Sequence, residues 1–480
     1  MLTKTINRLA VVFTVWVLTA CTLAGPNYQR PEPVATMPLA YKEETGWKLA
    51  KPHDGLSDEH WWELYHDPQL NALAEQVAGG NQNIREAEAR LRQAHAFVGA
   101  AKAGAAPVGS AGVAASRALR SQNLGSGVGT GSSVSDFQIP LQVAWELDLW
   151  GKIRLGVEAS EANDAASNAD LAALRLSMQA ELVGDYFQVQ ALDVQKQLLN
   201  DTMVAYRKIL GVTRNRYAAG VAGKADQLQA ESQLQSVEAQ AVDLDVQRSQ
   251  LEHAIAVLIG TPPAAFALPP ETHSSPILVI PPGLPSELLE RRPDIAAAER
   301  RMAAANAQIG VAAAAYFPAI RLGAAAGVES AGLGTWLSWP SRFWSLGPIL
   351  AATLFDGGLR QAQSEQALAS YDASVATYRQ SVLTAFQEVE DALATLKTLE
   401  EEASVQEAAL QTAKQSVAVV TNQYQAGTVS SLNLLVAQAA LLANDRTTMA
   451  IQSRRLTASV LLVKALGGGW HKEEMRQVTE

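Results

Sequence analysis

The chain has 480 residues, of which 48% are hydrophobic and 18% are charged, and its formal net charge is −10. This acidic balance argues against a nucleic-acid partner, which would require a basic face. The single cysteine, Cys21, excludes an intrachain disulfide and a metal cluster built from cysteines. We expect neither a metal nor an organic cofactor.

Residues 1–20 have the pattern of an export signal. Lys4 and Arg8 precede a short apolar run that ends in Leu-Thr-Ala just before Cys21. The run is too short for a membrane-spanning helix. Its ending resembles a bacterial lipobox, which would make Cys21 the lipidated first residue of the mature protein. The alternative is an ordinary signal peptide in which the cysteine is incidental.

Residues 21–67 are predicted to form an extended, lipidated tail that wraps the outside of the body. Four prolines disfavour a helix over most of this stretch. Trp61 and Trp62 are expected to pack the tail against the body. The four prolines are Pro26, Pro31, Pro33 and Pro38.

Beyond the tail the sequence occurs twice, with matching residues about 210 positions apart, which indicates a tandem duplication. Each repeat is predicted to contain a helix, a β-hairpin and a long helical hairpin. The predicted segments are a first repeat at 68–260, a proline-rich linker at 261–285, a second repeat at 286–467 and a C-terminal tail at 468–480. Matched pairs include Ile84 and Ile295, Glu88 and Glu299, Val183 and Val389, and Gly260 and Gly467.

The tips of the two helical hairpins share a Tyr-x-x-Gly pattern. Tyr217 and Gly220 in the first repeat match Tyr424 and Gly427 in the second. Each glycine lies where a helix C-terminus favours a residue that can adopt positive φ. Ser430 and Ser431 are candidate caps for the helix that follows the second tip. The predicted tips are residues 217–224 and 424–431.

The β-hairpins are predicted at about residues 107–149 and 318–355. Large apolar residues alternate with mainly polar ones over residues 137–149, which indicates a strand with one apolar and one polar face. The strand is long enough to cross a membrane when tilted; a half-buried strand of a soluble sheet is the alternative. The polar face carries Gln142, Glu146 and Asp148.

The helical hairpins are predicted to be long and to lie outside the lipid. An apolar seam repeats every three or four residues, and a helix from about residue 152 to 218 would measure about 100 Å. Charged side chains such as Arg175, Glu181 and Asp185 exclude a lipid-spanning helix there.

Four strands per chain would leave unpaired edges in a membrane, so other copies must complete the wall. Three chains would supply about twelve strands, enough to close around a lumen. The predicted fold class is mainly α with a membrane β-barrel: a homotrimeric, twelve-stranded barrel above a long helical tube, with Gln142, Glu146 and Asp148 facing the lumen.

The layout resembles a known family, the outer-membrane factors (TolC/OprM-like channels), and within it the NodT-type lipoprotein branch. The resemblance implies a channel in the outer membrane that extends into the periplasm. It also implies a periplasmic adaptor and an inner-membrane RND transporter as partners, with export of drugs or other small toxic compounds. Thr22 after the lipobox cysteine favours the outer membrane. The motifs are Leu18-Thr19-Ala20-Cys21, Trp61-Trp62, Asp67-Pro68-Gln69-Leu70, Arg291-Arg292-Pro293-Asp294-Ile295, Phe355-Asp356-Gly357-Gly358-Leu359-Arg360 and the two tips.

The resemblance also assigns roles at the tips. Tyr217, Gly220, Tyr424 and Gly427 would contact the adaptor. Acidic residues commonly ring the aperture in the second repeat of the family, whereas this chain has Leu432, Asn433 and Val436 there. Asp226 in the first repeat remains acidic. We therefore expect Leu432 and Val436 to close the gate mainly as an apolar ring; the alternative is that both pack neighbouring helices.

Three other functions are less well supported by the sequence. Gly-x-Ser-x-Gly, Walker and His-Glu-x-x-His motifs are missing and the seven histidines are scattered, so we expect no enzyme. A duct for type I protein secretion is the main alternative. A trimeric coiled-coil adhesin is disfavoured by the duplication and the membrane-type strands.

Overall fold

The computed structural model of the chain describes residues 25–29, 60–119, 121, 133–271 and 292–468. The predicted signal at 1–20, the lipobox Cys21, most of the tail and much of the linker lie outside these ranges. The chain divides into two compact units. The sheet unit comprises Arg90–Asn168, Ala297–Tyr378 and residues 25–29, and the tip unit comprises residues 60–89, 169–271, 292–296 and 379–468. Each unit is described by itself.

Helices make up most of the described chain, and the strands form one sheet. The helices are α1 (Pro68–Gly80), α2 (Gln82–Ala103), α3 (Lys152–Ala218), α4 (Lys224–Leu258), α5 (Pro293–Ala314), α6 (Leu359–Gln425) and α7 (Ser431–Ala465). The strands are β1 (Val108–Ala111), β2 (Ala114–Leu119), β3 (Ser133–Leu147), β4 (Ala319–Ser330) and β5 (Arg342–Ala351).

The helix lengths repeat between the two halves of the chain. Helices α3 and α6 each have 67 residues, and α4 and α7 each have 35. The tandem duplication and the long helix at 152–218 are therefore confirmed, and α3 measures about 100 Å at 1.5 Å per residue. Within the described residues, none of the helices combines the length and the hydropathy that a membrane span requires.

The sheet is antiparallel, in the order β1-β3-β4-β5, with β2 also paired to β3. Strands β1 and β2 share one edge of β3, so five strands occupy four positions and the first predicted strand is interrupted. The interruption faces Pro140, which has no backbone N–H to donate to a ladder. One bond remains there, from the Gly112 N–H to the Pro140 carbonyl at 3.0 Å.

The strand register places many of the large apolar residues of both repeats on one face. Trp145 pairs with Leu322, which pairs with Pro348, and Val143 pairs with Ala324, which pairs with Leu346. Directly opposed residues point to the same side of a sheet. The polar face contains Ser110, Gln142, Glu146, Arg321 and Ser345. The alternation predicted from the sequence is therefore confirmed along β3, whereas Val108, Phe343 and Ile349 of the other strands also lie on the polar face.

One predicted strand residue lies elsewhere. Strand β3 ends at Leu147, so Asp148 is not on its polar face. The Asp148 carboxylate accepts hydrogen bonds from the backbone N–H groups of Ile153 and Arg154 at 2.9 and 2.8 Å. These donors belong to the first turn of α3, which has no partner for them inside the helix. Asp148 therefore caps this helix start instead of continuing the strand, and its place in a lumen stays a prediction.

The predicted packing of the paired tryptophans is confirmed in part. Trp61 and Trp62 lie in a 3₁₀-helix, Trp61–Tyr65, and both are buried in the tip unit. Tyr65 is buried beside them and shares a 2.9 Å hydrogen bond with Ser459 of α7. The tail that they were expected to hold lies mostly outside the described residues.

A short part of the tail does lie against the sheet unit. The Pro26 carbonyl accepts a hydrogen bond from Asn306 Nδ2 at 3.2 Å, and the Tyr28 hydroxyl donates to Glu299 at 3.1 Å. Both partners belong to α5, the first helix of the second repeat. Residues 25–29 therefore follow the outside of that helix, as an extended tail would.

Candidate functional site

The first hairpin tip is a tight turn between α3 and α4. Gly220 has φ +74° and its N–H donates to the Tyr217 carbonyl at 2.9 Å. The Val221 N–H donates to the Arg216 carbonyl at 2.8 Å, which satisfies a carbonyl at the end of α3. At the start of α4, Asp226 accepts from the Gly223 N–H at 3.1 Å. The carboxylate of Asp226 therefore stabilises its own helix start.

The second tip repeats this turn between α6 and α7. Gly427 has φ +75°, and the Thr428 N–H donates to the Gln423 carbonyl at 3.0 Å. Ser430 is the N-cap, as predicted. Within the described residues its hydroxyl donates to Asn433 Oδ1 at 2.7 Å and caps no backbone N–H. Asn433 thus occupies the place of Asp226 with a different partner.

The two tip tyrosines have different surroundings. Tyr217 is 43% exposed, and the ammonium group of Lys224 lies 5.4 Å from its ring centroid. Tyr424 is 9% exposed and packs in the apolar core of the tip unit with Leu434 and Leu435. Adaptor contact by the Tyr424 ring is therefore disfavoured in this arrangement, because the ring supports the tip from inside.

Arg216 was not singled out from the sequence. Its guanidinium carbon lies 5.3 Å from the centroid of the Tyr424 ring, which is cation–π distance. The contact joins the first tip to the second within one chain. Arg216 directly precedes Tyr217, but no local pattern predicts a partner on the other repeat.

The residues predicted to form the gate lie on one exposed face of α7. Leu432 is 42% exposed and Val436 is 61% exposed, and their spacing of four residues aligns them along the helix. Leu434 and Leu435, between them, are buried against the chain's own helices. The apolar side chains of Leu432 and Val436 are therefore not part of the buried core of this chain.

The remaining lumen candidates, Gln142 and Glu146, lie on the polar face of the sheet. Glu146 Oε2 is 3.1 Å from Arg321 Nη2, and Glu146 Oε1 is 3.8 Å from Lys152 Nζ. This face therefore carries both signs of charge. Among the described residues, no cluster of three or more His, Cys, Asp or Glu side chains could hold a metal ion.

The fold and the site together define a class of protein. It is a duplicated protein in which two long helical hairpins end in glycine turns, and in which both repeats contribute strands to one sheet with an apolar and a polar face. Comparison with known proteins identifies the class further.

The family profile described as outer membrane efflux protein matches residues 73–261 and 284–468. The antibiotic efflux pump outer membrane protein ArpC of Pseudomonas putida is 32% identical over 98% of this chain and 97% of its own length. The pyoverdine export outer membrane protein OpmQ of Pseudomonas aeruginosa is 31% identical over 95% of this chain and 97% of its own length. The solved outer-membrane channel OprN is similar with a TM-score of 0.84 and 30% identity, over 93% of this chain and 99% of that chain.

The chain belongs to the outer membrane efflux protein family. The predicted family, the efflux function and the outer-membrane location are thereby confirmed. The type I secretion duct is not favoured.

Proposed function

We propose that the protein is the outer-membrane conduit of a tripartite efflux pump, which passes small toxic compounds from an RND transporter to the exterior. The observation that carries this proposal is the nearly full-length similarity to an antibiotic efflux pump component. A conduit needs no catalytic group of its own, and we assign it none. The transporter supplies the driving force.

The sheet supports a homotrimer. Within the described residues, β5 and the β1–β2 pair each bond to a neighbouring strand on one side only. Unpaired backbone groups are costly in hydrocarbon, so a membrane sheet must close. Four strand positions from each of three chains would form a closed barrel of about twelve strands, with the polar face of Gln142 and Glu146 towards water.

The tips support docking of a periplasmic adaptor. Tyr217 is exposed beside Gly220, and Gly427 forms the equivalent turn in the second repeat. We propose that an adaptor binds this surface and that Tyr424 supports it from the core.

Lipidation of Cys21 would add an anchor in the outer membrane. Mass spectrometry of the mature N-terminus tests this lipidation, and an unmodified first residue other than Cys21 would contradict it.

The function is tested by drug susceptibility in the source bacterium. Deletion of the gene should lower the minimal inhibitory concentration of several unrelated small compounds, and plasmid expression should restore it. A Gly220→Pro variant should fail to restore it, because proline cannot adopt positive φ. Unchanged susceptibility to all compounds, together with loss of a secreted protein, would contradict the proposal.

The apolar gate is tested by single-channel conductance in a planar lipid bilayer. Replacing Leu432 and Val436 by alanine should raise the closed-state conductance several-fold, because the constriction widens. Val405→Ala on α6 is the control, since Val405 is also an exposed valine, at 73%, but lies away from the tip along α6. No change in the double variant would place the constriction elsewhere.

A further inference from the structure

An open-sided cavity of about 540 Å³, lined by exposed and half-buried residues, lies in the tip unit between α3, α4 and α7. Its size falls in the range of small-molecule sites, which is roughly 300–1,000 Å³. Neither tip residues nor gate residues line it. The lining contains Gln188, Gln195, Gln247, Gln250, Ser453, Arg446 and Arg454 as polar groups, and Ala191, Leu192, Leu251, Met449 and Ala450 as apolar groups.

The polar lining carries positive charge without negative charge. Arg446 and Arg454 are the charged residues among the described residues of the wall, and the other polar groups are neutral amides and a hydroxyl. The chain as a whole has net charge −10, so a cationic cavity runs against its overall charge. Such a wall attracts an anion and disfavours a cation.

Arg446 is held in place by amides. Its Nη1 donates to Gln240 at 2.7 Å. With the Gln195 amide oxygen turned towards it, its Nε and Nη2 donate to Gln195 at 2.8 and 3.2 Å. Within the described chain no carboxylate lies within 4.0 Å of this guanidinium. The side chain is therefore oriented while its charge stays uncompensated.

Other arginines of the same unit differ in this respect. Arg207 pairs with Glu238 at 2.9 Å and Arg248 pairs with Asp193 at 2.6 Å. Arg454, the second arginine of the cavity, pairs with Glu402 at 3.3 Å, but both side chains are exposed. Pairs of this exposed kind are weak, about 0–1 kcal/mol, so Arg454 can turn towards a ligand.

The nearby acids do not neutralise Arg446. Asp193 and Glu252 both pair with Arg248, and Asp245 pairs with Lys196. Each of these carboxylates is bonded to a cation other than Arg446, and the group around Arg248 keeps one surplus negative charge. The charged residues that line the cavity itself are Arg446 and Arg454.

We propose that this cavity binds an amphipathic organic anion, with its sulfonate, phosphate or carboxylate group on Arg446 and its apolar body against Leu192, Leu251 and Met449. Guanidinium groups bind such oxyanions through charge-assisted hydrogen bonds. The leucines supply apolar area, and the methionine adapts to irregular shapes. The site goes beyond the conduit function and does not depend on it.

Calorimetric titration of the full-length protein in phosphatidylcholine nanodiscs tests the site. The probe is naphthalene-1-sulfonate, and its uncharged counterpart is naphthalene-1-sulfonamide. We expect the sulfonate to bind at least tenfold more tightly than the sulfonamide. Arg446→Gln should weaken sulfonate binding about tenfold or more, because it removes the charge of the anchoring group. Protein-free nanodiscs give the background.

Arg207→Gln is the matched control, because it removes an arginine of the same unit that lies outside the cavity. It should leave sulfonate binding unchanged. If Arg446→Gln fails to fold, Gln250→Glu serves instead, since this exposed position adds a carboxylate to the wall and should also weaken binding tenfold. Equal binding of sulfonate and sulfonamide would overturn the proposal. Unchanged sulfonate binding by Arg446→Gln, or by Gln250→Glu where that variant is used instead, would also overturn it.

Discussion

Asn81 and Arg292 make the same contact in the two repeats. Asn81 Nδ2 donates to the Leu258 carbonyl at 2.9 Å, and Arg292 Nη1 donates to the Ala465 carbonyl at 2.9 Å. Leu258 and Ala465 are the last residues of α4 and α7, whose carbonyls have no partner inside the helix. Asn81 directly precedes α2 and Arg292 directly precedes α5. In each repeat, therefore, one hydrogen bond joins a residue near the beginning of the repeat to the end of its last long helix.

Removal of either donor should destabilise the protein. Asn81→Ala should lower the free energy of unfolding by about 2–3 kcal/mol. The Leu258 carbonyl would lose its donor, and the N–H groups of Asn83 and Ile84 at the start of α2 would lose their acceptor, Asn81 Oδ1. Arg292→Met should cost about 2–4 kcal/mol, because it leaves the Ala465 carbonyl without its donor and removes the ion pairs of Arg292 with Asp294 and Glu388. Guanidinium titration in detergent measures both. Arg207→Met, an exposed pair, should change stability by less than about 1 kcal/mol; equal effects at all three positions would contradict the assignment.

Gly220 and Gly260 separate the cost of positive φ from the cost of a clash. Their φ angles are +74° and +73°. A Cβ at Gly220 would meet open space, whereas a Cβ at Gly260 would lie 2.0 Å from the Gly80 carbonyl oxygen. Gly220→Ala should therefore cost about 1 kcal/mol.

Gly260→Ala should cost far more than Gly220→Ala, because backbone would have to move away. We expect a fall in the thermal unfolding midpoint at least three times as large, or no folded protein. Circular dichroism on both variants gives the comparison. Similar midpoints would show that the approach of Gly80 and Gly260 is easily relaxed.

Asp148 should matter for stability and not for conduction. Asp148→Ala removes both acceptors for the first turn of α3 and should cost about 1 kcal/mol, whereas Asp148→Asn should retain one of the two acceptors and cost less. Ion selectivity in a planar bilayer should be the same in all three proteins. Altered ion selectivity in the alanine variant would indicate that Asp148 lines the lumen.

Asp185 should make stability depend on pH. Burial, and then the nearby charge of Glu181, raise the pKa of the Asp185 carboxyl to about 6. The folded chain then holds this proton more tightly than the unfolded chain, so the charged form costs stability as pH rises from about 4 to about 6. Solvent still reaches the side chain, which reduces the cost to about 1 kcal/mol.

Asp185→Asn should therefore stabilise the protein by about 1 kcal/mol at pH 7 and by nothing at about pH 4. Denaturation curves at both pH values measure the difference. Asp391→Asn is the control, since Asp391 is the matching residue of the second repeat and is exposed. A gain for Asp185→Asn at both pH values would exclude the titration of this carboxyl as the cause.

Much of the architecture could be predicted locally. The alternation over residues 137–149 and the glycines of the two tips depend on neighbours in the chain, and both predictions agree with the structure except at Asp148. Asp148 was assigned to the strand because it fits the alternation of polar residues. Its carboxylate instead accepts hydrogen bonds from the first turn of α3, which begins four residues later. The partners of Arg216 and Arg446 could not be predicted, since each contacts residues about 200 positions away.

The sequence by itself determined the duplication, the hairpin turns and the two faces of the strands, because these follow from spacing and from the backbone freedom of glycine. Only the tertiary structure decided which tip tyrosine is buried, which acid caps a helix and that the partners of Arg446 in the described chain are amides. Those properties depend on packing between the two repeats, where side chains distant in the chain compete for the same neighbours.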